Sequence, residues 1–162
     1  MAEIMGVRIE QIETSNASQG FSFNALLLMH DEIIAEIKGE GDGDIIFDFT
    51  DNACEQKLCD IADNYFNKYP AELYTDKIRQ FIEILYELQL LEQQYEIGIQ
   101  KECKYLIVVR PFGNKNYDNT EAIPTIAMNV SKWTGKLRKQ IIDFYPNAKL
   151  EVYSSLDDFI IK

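Results

Sequence analysis

Histidine is almost absent from this chain: His30 is the only one in 162 residues. That excludes any catalytic or metal site needing two imidazoles, and leaves a Cys–His pair only if His30 meets Cys54, Cys59 or Cys103 in space. Cysteine is scarce and odd in number, at three. Cys54 and Cys59 lie five apart in a segment of helical periodicity. Five residues turn about 500° at about 100° each, so the two thiols face different ways and suit neither a shared metal nor a local disulfide. Reduced and mostly buried cysteines are the expectation. Long apolar runs are missing as well. The longest, Ala25–Met29 and Leu106–Val109, fall far short of the ~20 residues of a membrane span. The start, Met1-Ala2-Glu3, has neither the basic opening nor the apolar core of a signal peptide, and a cytoplasmic location is expected. Gly39, Gly41 and Gly43 are not followed by Lys-Ser/Thr, so they make no phosphate-binding loop.

Basic residues are in short supply, and unevenly so. Acids outnumber bases by 27 to 16, a net charge of −11. Residues 1–100 carry 20 acids and 6 bases, whereas residues 101–162 carry 7 and 10. The densest stretch, Asp31–Asp60, holds ten acids against Lys38 and Lys57. Like charges at that density must be solvated or matched by a basic partner. Nucleic acid carries the same sign, which disfavours direct binding of a duplex by this part.

What is present suffices for one α+β domain spanning 1–162. At 46% hydrophobic residues, a chain this long can bury roughly 70% of its unfolded surface without a disulfide or metal. Alternation predicts strands over 6–13, 21–30 and 33–38, and one marked by Ile45, Phe47 and Phe49. Thr14–Gly20 reads as a polar loop, Asp31-Glu32 as a turn, and the glycines of 39–44 as a loop. These segments form an N-terminal antiparallel β-meander, with Ile33, Ala35 and Ile37 on one face and Glu36 and Lys38 on the other. Two central helices follow. Thr50 or Asp51 caps the first, which Pro70 stops; Thr75 caps the second, which runs to about Tyr95 and ends at Gly98. Apolar residues from Ile78 to Leu91 surround more than one stripe of that helix, as on a helix covered from several sides. A C-terminal strand–helix–strand unit completes the chain. Tyr105–Val109 is buried on both faces, Thr125–Val130 is a further strand, and a helix after Ser131 or Thr134 turns Trp133, Leu137, Ile141 and Phe144 inward. Lys149–Tyr153 is the last strand, and Ser155–Ile161 a short tail.

Few residues carry chemistry. Gly41-Asp42-Gly43-Asp44, with Asp48 and Asp51 nearby, has oxygens for a hard cation, but the EF-hand order is absent and solvated acids are the plainer expectation. Asp157-Asp158, and Glu36 with Asp48, are carboxylate pairs; acid–base chemistry would need a pocket that splits their pKa values. No catalytic residue, metal or cofactor is expected. Lys132, Lys136 and Lys139, spaced i, i+4, i+7 with Arg138 beside them, form a small basic stripe that reads first as a solvated helix face. Its alternatives are contact with nucleic acid or with an acidic patch of a second copy.

The block Phe23-Asn-Ala25-Leu-Leu27, Ile33-Ile-Ala35-Glu-Ile37 and Glu40-Gly41-Asp42-Gly43 resembles a hairpin of small uncharacterised proteins of phages and mobile elements. The likeness covers about a quarter of the chain. It departs at Asp31-Glu32, where those proteins have a Gly-Lys turn, and at Asp44, where they have glycine. It implies a setting and no functional residue: a small accessory protein in a bacterial or phage-infected cell, a class that includes anti-CRISPR inhibitors and DNA mimics. Together with the charge, it makes the expected function that of an acidic inhibitor or adaptor. The expected partner is a basic surface on a nuclease or other nucleic-acid-processing protein. The contact residues are expected among Asp31, Glu32, Glu36, Glu40, Asp42, Asp44, Asp48 and Asp51. A structural or oligomerising accessory protein, and a small enzyme with an unrecognised site, are the alternatives.

Overall fold

A computed structural model describes residues 1–17, 20–39, 45–70, 76–110 and 125–162, with 11–17 and 20–22 described by backbone alone. The content is mixed α+β, and the described residues divide into two compact units, 1–89 with 159–162 and 90–158.

The first unit is built on a six-stranded sheet. Its strands are β1 (Glu3–Ile4), β2 (Val7–Ala17), β3 (Gly20–Met29), β4 (Glu32–Gly39), β5 (Ile45–Phe49) and, from the far end of the chain, β9 (Ile160–Ile161). The order is β5-β4-β3-β2-β1-β9, antiparallel except for the parallel β1–β9 pair. The expected meander is present, with longer strands: β2 and β3 extend through most of the segment read as a polar loop, pairing as far as Ala17 with Gly20.

Two tight hairpins set the register. Ile4 pairs with Val7 across Met5-Gly6, and Met29 with Glu32 across His30-Asp31. All four loop residues have positive φ, as the two-residue turns that match strand twist require. The second turn therefore falls one residue earlier than Asp31-Glu32, because His and Asp tolerate a left-handed backbone better than most side chains. The His30 N–H donates to the Gly6 carbonyl at 2.9 Å. A Cβ at Gly6 would run into the His30 ring, so both backbone and packing demand glycine there.

One face of this sheet is apolar. Ile4, Val7, Ile9, Ala25, Leu27 and Ile37 are buried on it. A register shift at Leu27/Leu28 makes Ile34 the extra residue of a β-bulge. The bulge corrects the expected alternation: Ile34 and Ala35 are both buried, and Ile33 is half exposed. Helix α1 (Asn52–Lys68) lies against β4 and β5. Asp51 is its N-cap, and Pro70 follows the C-cap Tyr69. Helix α2 runs Lys77–Gln100, with Phe81, Ile82 and Leu85 fully buried. Its first turn is held by Asp76, whose carboxylate accepts from the Arg79 N–H at 2.9 Å; Thr75 lies outside the described residues. In the first unit Tyr86 of α2 stacks on Phe23, centroids 4.6 Å apart.

The division between the units falls within α2, after Gln89. In the second unit, β6 (Tyr105–Arg110) is the middle strand between β7 (Ile126–Val130) and β8 (Lys149–Tyr153). Leu106–Val109 are fully buried, which explains the unbroken apolar run. Helix α3 (Gly135–Phe144), capped by Thr134, covers one face through Leu137 and Ile141. Phe144 does not turn inward as expected: it ends the helix at 82% exposure, and the C-cap Tyr145 packs on the cluster instead.

Gly98 does not end α2. The helix passes it and closes at Glu102, which takes a left-handed backbone (φ 61). The Cys103 N–H donates to the Gly98 carbonyl at 2.9 Å and the Glu102 N–H to the Ile99 carbonyl at 3.0 Å, the pattern of a Schellman cap with Glu in the usual glycine position. Glycine at 98 serves packing: a Cβ there would overlap the Asn129 carboxamide, which donates to the Gln94 carbonyl at 2.9 Å. The tail Leu156–Phe159 is a 3₁₀ turn, and Phe159 is fully buried.

Candidate partner-binding face

Directly opposite residues in a sheet share a face, so the register states which charges meet. Glu36 on β4 pairs with Asp48 on β5 and with Leu26 on β3, which pairs with Glu10 on β2. One step along, Lys38 lies between Ile46 and Asn24. This outer face, away from α1, is open on β4 and β5: Glu36, Lys38 and Asp48 are exposed, and Ile46 is 50% exposed. Two carboxylates stand opposite each other there, an arrangement that costs free energy when no cation lies between them.

The other sequence-derived acids divide into three groups. Asp31 is exposed but ion-paired with Arg8, which also binds Glu10 at 2.9 Å. These two acids raise the Arg8 pKa, the hydrogen bond to Asp31 most strongly. Asp31 is thus partly neutralised within the chain, and Glu32 beside it is exposed. Asp51 accepts from the Cys54 N–H at 2.7 Å, and that bond first of all lowers its pKa; its carboxylate is occupied in holding the start of α1. Glu40, Asp42 and Asp44 lie outside the described residues.

The four basic residues are all exposed; Lys136, Arg138 and Lys139 lie on α3, with Lys136 and Lys139 three apart on one face. Lys132 precedes α3, which begins at Gly135. Asp143, four residues after Lys139, interrupts the outer side of the helix, and Arg138 lies about 100° from Lys139.

Sequence reasoning missed one well-connected carboxylate. Glu151 on β8 accepts from Arg110 Nε at 3.0 Å and from the Tyr153 hydroxyl at 3.3 Å, and pairs with Lys149 at 2.8 Å. Burial alone would raise its pKa; the bonds and charges of Lys149 and Arg110 outweigh that and lower it. Period-2 spacing puts Lys149, Glu151 and Tyr153 on one face of a strand, which was the available signal. Arg110 joins them only through the β6–β8 register.

The three cysteines are free and half-buried, less enclosed than expected. Cys54 sits in the first turn of α1, near the Thr50 hydroxyl at 3.4 Å; burial first, then Glu55, Asp60 and Asp63, raises the Cys59 pKa. Among the described residues no group of three or more His, Cys, Asp or Glu is arranged to hold a metal, and no helix is long and apolar enough to cross a membrane. Comparison with protein-family models, curated proteins and solved structures gave no match for this chain.

Proposed function

We propose that this chain is a protein-binding module, an acidic inhibitor or adaptor whose outer sheet face docks on a basic surface of a nuclease or other nucleic-acid-processing protein. The observation that carries the reading is the exposed Glu36–Asp48 pair, opposite in register and beside the exposed Ile46. A basic partner would relieve the repulsion and cover the isoleucine, so charge and apolar burial act together. The excess of 20 acids over 6 bases in residues 1–100 adds a long-range field of the same sign. A cytoplasmic setting in a bacterial or phage-infected cell belongs to the same reading, on the resemblance of the β3–β4 hairpin.

Capture from a bacterial lysate at low and high salt, followed by competition with the captured protein's own DNA or RNA, tests it. The reading expects capture that weakens with salt and is displaced by nucleic acid. A partner that holds nucleic acid and this chain together, with a salt-independent association rate, would overturn it.

A further inference from the structure

We infer that β5 is a self-association edge, through which two copies of the chain join antiparallel with Phe47 opposite Phe47 of the second copy. Among the described residues β5 ends the six-stranded order and pairs with β4 alone. The Thr50 N–H donates to the Ile34 carbonyl at 2.9 Å, continuing the register in which Ala35 opposes Phe49. Backbone groups of successive residues in a ladder point to opposite sides. Ile46 and Asp48, in phase with Thr50, therefore aim theirs at β4, and Ile45, Phe47 and Phe49 aim theirs away from the sheet. Such a row is a template for another strand.

Ile45, Phe47 and Phe49, on the inner face, are only half-buried, and the two phenylalanine rings stack with centroids 5.6 Å apart. The apolar layer thus reaches the edge of the sheet incompletely covered. The occupant is a second copy because β5 is complementary to itself. Inner faces stay on one side only if odd-numbered residues meet odd-numbered ones. With Phe47 opposite Phe47, Ile45 meets Phe49 in both directions, every outward-pointing residue of both strands is used, and Asp48 faces Ile46. A slip one way would set Asp48 against Asp48; a slip the other way would leave Phe49 beyond the paired segment. The join is isologous and closes at two copies. Its seam holds Ile46 and Asp48, which also lie on the outer face of the proposed docking site.

A junction of one short strand per copy belongs to the weak class of interfaces. The test is analytical ultracentrifugation of the whole chain up to about 500 µM, with far-UV circular dichroism as the folding control. Ile46 is exposed, so its substitution leaves the core intact. Ile46→Lys sets a cation opposite Asp48 at two symmetric places and is expected to tighten the dimer about 2- to 30-fold; Ile46→Asp is expected to weaken it similarly. Adding Asp48→Lys to Ile46→Asp swaps the charges and is expected to restore association. Sedimentation as a monomer by both wild type and Ile46→Lys, or movement of the two Ile46 variants in the same direction, would overturn the inference.

Discussion

Replacing Phe159 by alanine tests whether the tail of the chain is part of the first unit's core. The ring is fully buried, and Ile160–Ile161 pair in parallel with Glu3–Ile4. The Met5 N–H donates to the Ile161 carbonyl at 2.7 Å and Lys68 Nζ to the Lys162 carbonyl at 2.6 Å. A buried Phe hides ~150–250 Å²; at ~25 cal/mol per Å² that is about 4–6 kcal/mol as an upper estimate. Truncations of buried Phe to Ala cost ~3–5 kcal/mol, a large share of the ~5–15 kcal/mol that holds a domain folded. Urea unfolding followed by far-UV circular dichroism should show a loss of about 3–5 kcal/mol for Phe159→Ala, and a fall in Tm of roughly 6–20 °C. Ile160→Ala, next in sequence but 37% exposed, should cost far less. A Phe159→Ala protein within about 0.5 kcal/mol of wild type would refute the assignment of the tail to that core.

Leu85→Ala should cost about 2–5 kcal/mol in the same assay, because the side chain is fully buried on α2; a Tm within a degree or two of wild type would contradict it. Gly98→Ala should destabilise by about 1–3 kcal/mol although alanine favours helices, because the methyl group displaces Asn129 from the Gln94 carbonyl; a stabilised variant would show that Asn129 yields freely. The lowered pKa of Glu151 makes the Arg110–Lys149–Glu151 cluster acid-sensitive. Its contribution is complete above the unfolded carboxylate value of about 4.3 and is lost as pH falls through the lower folded value. Denaturation curves from pH 6 to pH 2 should therefore lose less stability in Glu151→Gln than in wild type, and parallel losses would remove the cluster from the acid response.

The fold was legible where one physical period dominated. Leu106–Val109, apolar at every position, reads as a strand covered on both faces, and Phe47, Asp48 and Phe49 alternate as an edge of a half-buried sheet should. Misreadings occurred where a local rule met a competing contact. Ile33 has the right parity for the core, but one extra residue at Ile34 reverses it. Glycine normally marks a helix end, yet Gly98 is required by Asn129, a residue 31 positions away. Phe144 continues the helical period of Leu137 and Ile141 but falls at the last residue of α3, where Tyr145 packs on the cluster instead. The two-residue strands β1 and β9 carry no periodic signal at all. At the candidate face, the excess of acid was visible in the composition, whereas the difference between Asp51, bound to its helix, Asp31, paired with Arg8, and Glu36 opposite Asp48 depends on caps and strand register.

The measurement that bears most directly on the proposed function is the association rate of the captured partner with wild type and with Glu36→Lys/Asp48→Lys, taken by surface plasmon resonance at about 50 mM and 500 mM salt. Glu55→Lys/Asp60→Lys, exposed acids on α1 with the same change in net charge, is the control. Charge steering acts mainly on association and is screened by salt. The account predicts a slower association for the Glu36/Asp48 variant than for the control at low salt, a difference that shrinks at high salt. Equal association rates for the two variants at both salts, with circular dichroism showing both folded, would contradict it.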